Sequence, residues 1–215
     1  MTISNASGLS LPDLASSPLR QAVVEHVLEL EAPSIAHHSL RSYVFALKVA
    51  DFRRLRRDVD YDDDALFFAA VLHDLGLSDQ GEARPDRFEV AGADMAVELL
   101  ARHGVPSEVR DVVWDAIALH TSPGITQRRS IVCDLASAGT GVDFGYESDF
   151  LSDEEAAVIN EAFPRLDINT AIGQLIIEQA ERNRPVKAPH LSTADYFYRS
   201  VHGFDLSFVS RWGAV

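Results

Sequence analysis

A histidine and an aspartate stand side by side at the end of an apolar run, Leu66-Phe67-Phe68-Ala69-Ala70-Val71-Leu72-His73-Asp74-Leu75-Gly76. The run reads as a core helix, with Gly76 where a helix would stop. Its end presents an imidazole and a carboxylate, both metal-ligand types, at the rim of a core. Burying two such groups without partners is costly, and a divalent cation satisfies both. Taken alone, the pair also has a plainer reading, a helix C-terminal cation beside a cap. Other ligand-type residues accompany it. His37-His38-Ser39-Leu40-Arg41-Ser42-Tyr43 lies upstream. Trp114-Asp115-Ala116-Ile117-Ala118-Leu119-His120-Thr121 and Gly141-Val142-Asp143-Phe144-Gly145 lie downstream.

A His, then His-Asp, then a late Asp, each near the edge of a different predicted helix, resembles the HD superfamily of metal-dependent hydrolases. The resemblance covers residues 30–150. Within that superfamily the chain is similar to the cyanamide hydratase branch, through five pieces in order. They are His38-Ser39-Leu40-Arg41-Ser42-Tyr43, His73-Asp74-Leu75-Gly76-Leu77, Arg87-Phe88-Glu89-Val90-Ala91-Gly92-Ala93, Leu119-His120-Thr121-Ser122 and Val142-Asp143-Phe144-Gly145. The resemblance implies an all-α, single HD-domain helical bundle and a metalloenzyme of the hydro-lyase kind. It assigns His38, His73, Asp74 and Asp143 as ligands of one divalent ion. Two neutral imidazoles and two carboxylates balance a divalent charge and leave room for water. Zn²⁺ suits such N and O donors, and Fe²⁺ or Mn²⁺ also accept them. Two positions stay open at this point: His37 competes with His38, and Asp134 with Asp143.

Some members of the superfamily hold two metals through extra histidines. Here Glu89-Val90-Ala91-Gly92-Ala93 and the lone His120-Thr121 stand in those places. This departs from the two-metal pattern and resembles the one-metal hydratase pattern. Glu89, His120 and Thr121 are therefore read as substrate-facing groups that relay a proton or donate a hydrogen bond. Plainer roles remain for two of them: a helix N-terminal acid for Glu89 and a C-terminal cation for His120. Arg41 and Tyr43 orient ligands, or Tyr43 belongs to the core. The reaction implied is addition of metal-activated hydroxide to the nitrile of cyanamide, or of a related small nitrile, giving urea. The alternative is an HD phosphohydrolase acting on a nucleotide or small phosphoester, with Arg41, Arg84 or Arg87 holding phosphate. A third reading, a helical module with a structural metal, would show a closed coordination sphere.

The elements that position these residues carry helical spacing. Ser17 caps a helix over Pro18 to Glu31, and Pro33 breaks it. Ser39 to about Arg57, a run capped by Asp62 or Asp63 through Leu72, and Phe88 to His103 follow. Ser107 caps a helix to His120. Gln127 to Ala138 is predicted next, with Gly139, Gly141 and Gly145 making the following segment a loop. Ser152-Asp153-Glu154-Glu155 opens another helix. Ile168 to Arg182, capped by Asp167 or Asn169, and Ala194 to Val201 complete the set. Gly81 to Arg87 is a turn-rich link that can close over a site. Residues 1–17 are expected to be a flexible N-terminus, and 18–215 one domain in which helices of 151–215 pack on the motif core.

The chain has 215 residues, 47% hydrophobic composition and a net charge of −14. That suffices for one well-buried domain. The acidic balance disfavours nucleic acid as a partner and suits a small neutral substrate, with homo-oligomerisation left open. Arg53 to Arg57 precede Asp58, Asp60, Asp62, Asp63 and Asp64, which reads as mutually compensating, solvated faces. Cys133 is the sole cysteine, so no intrachain disulfide forms. It reads as a small buried hydrophobe, and its role is left open. No run reaches the roughly 18 apolar residues of a membrane span. With no signal-peptide pattern at the start, the expected location is cytoplasmic.

Overall fold

The computed structural model describes residues 11–203. Among them the chain forms twelve α-helices, one 3-10 turn and one isolated bridge pair, Arg57 with Tyr61. The helices are α1 (Pro18–Leu30), α2 (Pro33–Phe52), α3 (Asp63–Leu72), α4 (Asp79–Glu82), α5 (Phe88–Arg102) and α6 (Ser107–Leu119). Then come α7 (Thr126–Arg129), α8 (Ile131–Asp143), α9 (Asp153–Ala162), α10 (Ile168–Arg182), α11 (Arg184–Lys187) and α12 (Thr193–His202). The 3-10 turn, Leu75–Leu77, links α3 to α4. The fold is an all-α helical bundle.

Local chemistry explains most boundaries. Ser17, Asp62, Ser130 and Ser152 each accept a backbone N–H of the first turn of α1, α3, α8 and α9. Glu155 returns a bond to the Ser152 N–H, completing a capping box. Pro106, not Ser107, occupies the cap position of α6, and Ser107 is its first helical residue.

Two expectations need correcting because they bear on the site. α2 starts at Pro33 rather than Ser39, since proline fits the first turn, where no N–H partner is needed. His37 and His38 therefore lie inside the helix. The expected helix from Gln127 to Ala138 instead breaks at Ser130, and α8 continues through Gly139 and Gly141 to Asp143. Gly139 is there for space: a Cβ on it would lie 2.3 Å from the Ser42 carbonyl oxygen. The missing side chain lets α8 press onto α2 and carries Asp143 toward His38.

α3 is the hub. Ala65 to Leu72 are all buried, and α1, α2, α5, α6 and α8 surround the helix. That encirclement explains why its sequence is apolar on every face. Gly76 serves close approach rather than termination: a Cβ there would meet the Phe88 carbonyl oxygen of α5 at 1.9 Å. A second, smaller apolar cluster joins Leu77 and Phe88 to Ile176, Ala180, Ala188 and Ala194 of the C-terminal helices. Polar clips reinforce it. Gln179 donates to the Gly76 carbonyl at 3.0 Å, and buried Lys187 donates to that of Gly81 at 3.0 Å. The link expected from Gly81 to Arg87 is thus partly helical and held in place. Of the expected flexible segment 1–17, residues 1–10 lie outside the described residues, while Leu11 and Leu14 are buried in the core. Residues 204–215 also lie outside them.

Candidate metal centre

α2, α3 and α6 bring three imidazoles to one point, and a backbone or carboxylate acceptor fixes each ring. His73, the C-terminal cap of α3, donates Nδ1–H to the Ala70 carbonyl at 2.8 Å. His120, the cap of α6, donates Nδ1–H to the Ile117 carbonyl at 2.7 Å. His38, on α2, donates Nδ1–H to Asp143 at 2.6 Å. These partners assign the tautomers. In the neutral ring each then turns a bare Nε2 toward Asp74.

The distances suit a cation. His38 Nε2 lies 3.3 Å from His73 Nε2. Asp74 Oδ2 lies 3.2 Å from His73 Nε2 and 3.8 Å from His38 Nε2. Metal–ligand bonds of about 2.0–2.1 Å place neighbouring ligand atoms at about this separation. Two facing nitrogen lone pairs and a carboxylate repel one another unless positive charge lies between them. All three residues are at most 1% exposed, and both Asp74 oxygens lack a hydrogen-bond partner. Unpaired buried carboxylate oxygens in a native fold call for an explanation, and a divalent ion supplies it. His38, His73 and Asp74 form a group of buried ligand atoms that fits one metal.

Electrostatics follow the same geometry. Burial works to raise the Asp74 carboxyl, but His73, with His38 and His120, holds it well below the usual carboxylate range. Burial lowers His38 against the opposing pull of Asp143. Burial also lowers His120 to about 4, with the neighbouring His73 adding to the effect. A neutral His120 keeps its Nε2 lone pair, 3.8 Å from Asp74 Oδ1.

Asp143 stands beside the group, and both its oxygens accept hydrogen bonds. Besides His38, it accepts a forked pair from Arg41, Nε to Oδ1 and Nη2 to Oδ2, both at 2.8 Å. Arg165 adds a bond at 2.6 Å. Burial works to raise this carboxyl, but Arg41 and His38 hold it far below its ordinary value. Such a carboxylate orients the imidazole and strengthens it as a ligand. Arg165 had no signal in the sequence. The competing residues lie elsewhere: His37 contacts the Pro164 carbonyl, and Asp134 pairs with Arg53 at 2.8 Å. Tyr43 bonds Asp63 and Arg20 in the core, away from the imidazoles.

At the rim, Glu89 is fully buried and doubly held. Arg87 grips both its oxygens, and Thr121 donates to it at 2.8 Å. Phe88 packs edge-on to His120 with ring centroids 5.8 Å apart. Glu89 and Thr121 are thus together, Thr121 following His120 directly in the chain, but neither is among the candidate ligand atoms. A cleft of about 560 Å³ lies elsewhere, around Arg20, Tyr43 and Asp63.

Comparison with known proteins agrees with this geometry. The family model described as HD domain matches residues 35–184. Cyanamide hydratases DDI2 and DDI3 of Saccharomyces cerevisiae are each 32% identical over 143 residues, 64% of this chain. The match spans 61% of the length of each relative.

Proposed function

Because the chain belongs to the HD-domain family, we propose that it is a metal-dependent hydratase adding water to the nitrile of cyanamide, or of a related small nitrile. His38, His73 and Asp74 hold one divalent ion, Zn²⁺ first, with Fe²⁺ or Mn²⁺ as alternatives. When bound, the ion is a Lewis acid that makes hydroxide available near neutral pH. Overall, oxygen adds to the nitrile carbon, the nitrogen takes a proton, and cyanamide becomes urea. His120 presents a neutral Nε2 beside Asp74, placed to accept and return that proton. Asp143 holds His38 in its tautomer. Glu89, gripped by Arg87, positions the Thr121 hydroxyl at the rim. With both oxygens of Glu89 so engaged, and one histidine at position 120, the site is read as mononuclear.

The observation that carries this reading is the state of the arginines. A phosphohydrolase needs cations free to hold phosphate. Arg41 and Arg165 are bound to Asp143, Arg87 to Glu89, and Arg84 to Glu98 at the surface. An enclosed site in which burial holds His38 and His120 toward the neutral form suits a substrate of few atoms and no charge. The similarity to the two yeast cyanamide hydratases supports the same choice. The test is turnover of cyanamide, read as urea by coupled ammonia release, beside a panel of nucleoside monophosphates read as phosphate. Phosphate without urea turns the assignment to the phosphohydrolase.

A further inference from the structure

Asp74 differs from the imidazoles around it. Each ring is fixed by an acceptor, but both Asp74 oxygens lack a hydrogen-bond partner among the described residues. The backbone that carries Asp74 therefore does most to set where its carboxylate points. That backbone enters the 3-10 turn Leu75–Leu77, and the Leu77 N–H donates to the Asp74 carbonyl at 2.8 Å. The turn is packed backbone against backbone. A Cβ on Gly76 would lie 2.9 Å from the Gly92 nitrogen of α5, and one on Gly81 of α4 would lie 2.4 Å from the Gly76 Cα. A Cβ on Gly92 would lie 3.3 Å from the His73 carbonyl oxygen. Three glycines thus interlock against the backbone of the His73-Asp74 pair. Such a contact has no side chains to interdigitate, so bonds to its backbone groups must hold it in register.

Two of those bonds come from the C-terminal helices. Gln179 of α10 is 4% exposed, and its Nε2–H donates to the Gly76 carbonyl at 3.0 Å, two residues after Asp74. Lys187 of α11 is 5% exposed and donates to the Gly81 carbonyl at 3.0 Å. The buried residues packed there, Leu77, Phe88, Ile176 and Ala180, are apolar. Burying an amide among them carries a desolvation cost that its hydrogen bond offsets. A satisfied buried polar contact also fixes one arrangement, where apolar packing tolerates several. We propose that Gln179 is a positioning residue of the metal centre: by holding the Gly76 carbonyl it fixes the turn after Asp74, and so the direction of the Asp74 carboxylate toward His38 and His73. Lys187 supports the same turn through Gly81. The proposal rests on the metal centre of the hydratase reading and not on its substrate. It makes α10 part of the site, although no residue of α10 is among the candidate ligands.

The experiment sets Gln179→Met against Ile176→Ala. Methionine keeps the length of the side chain and removes the donor. Ile176→Ala, on the same helix, removes apolar packing and keeps the donor. Each variant is compared with wild type by the Tm of the metal-free protein, by chelator competition for Co²⁺, and by the visible d–d absorption of the Co²⁺-loaded protein. That band reports the arrangement of ligands around the ion, which a merely structural role would not move. For Gln179→Met the expected result is an affinity lower by about 10–100-fold and a band changed in position or intensity. For Ile176→Ala it is a lower Tm, with affinity and band as in wild type. Gln179→Asn, whose amide falls short of the Gly76 carbonyl, serves where the methionine variant does not fold, and the same change is expected. A band identical to wild type in the Gln179 variant overturns the proposal. So does an equal change in Ile176→Ala, which assigns the effect to the packing of α10 in general. If neither Gln179 variant folds, the amide belongs to the fold and the proposal fails. All three outcomes leave the hydratase reading to its own test, urea formation by wild type. A wild type that binds no Co²⁺ removes the metal centre and the proposal with it.

Discussion

His73 and Asp74 carry the densest chemistry in the chain, and their neighbours determine what they can do. Replacing either by alanine should remove metal and activity together, read by metal analysis of the purified variants. Full occupancy in both would contradict the assignment. Asp143→Asn should act more gently. It weakens the grip on His38 Nδ1 without touching the three candidate ligand atoms, so metal affinity should fall about 10–100-fold. Chelator competition measures this, and the saturated protein should still hold one equivalent. Arg165→Met should show a smaller loss of the same kind, with Arg165→Lys between. Glu31 gives a pH prediction. Its carboxyl is raised from 4.5 to about 8, so the folded state keeps a proton that the unfolded chain releases. Its contribution is full below pH 4.5 and is lost as pH rises toward 8. Urea unfolding of the metal-free protein should therefore show Glu31→Gln gaining on wild type between pH 5 and pH 8. The adjacent His73-Asp74 pair was legible in the sequence because its two members touch along the chain. The acceptors that set the rings were not. Ala70 and Ile117 act through backbone carbonyls that any residue possesses, and Asp143 reaches His38 only after α8 folds onto α2.

Helices place these groups through caps and through close approaches, and the two differ in how plainly they are written. Capping is local chemistry, so Ser17, Asp62 and the Ser152–Glu155 box could be read from residue types alone. Ser152→Ala should cost about 1 kcal/mol in urea unfolding and leave metal affinity unchanged. Close approaches depend on a partner element. Glycines in a row suggest a loop, yet Gly139 sits mid-helix, where α8 meets the Ser42 carbonyl of α2. Gly139→Ala should destabilise the fold by roughly 1–3 kcal/mol. Because the same contact carries Asp143 to His38, metal affinity should fall in that variant too. Unchanged affinity would show that the α2–α8 contact and the His38 buttress are separable. The start of α2 was missed for a related reason. Pro33 looks like a break from either side, but a proline at the first helical position ends the preceding helix and admits the next.

At the scale of the whole molecule, one enclosed centre sits where the central helix ends, sealed on one side by the C-terminal helices through Leu77 and Phe88. The HD-domain family was legible because a His, a His-Asp pair and a late Asp occur in order, which no single pair could establish. The substrate was less so, because the commitments of Arg41, Arg84, Arg87 and Arg165 to carboxylates are properties of the folded chain. A net charge of −14 adds little to that choice, since fields from distant surface charges are screened over about 8 Å at physiological salt. Metal that binds the folded chain stabilises it by mass action, so stripping the protein with a chelator should lower Tm and restoring Zn²⁺ should recover it. The most direct measurement joins these threads in one sample. Metal-stripped protein is reloaded with Zn²⁺ in steps and assayed at each step for urea from cyanamide and for phosphate from nucleoside monophosphates. The account predicts urea formation rising linearly to a plateau at one equivalent of metal per chain, with no phosphate release. Phosphate release without urea, or activity that needs a second equivalent, would contradict it.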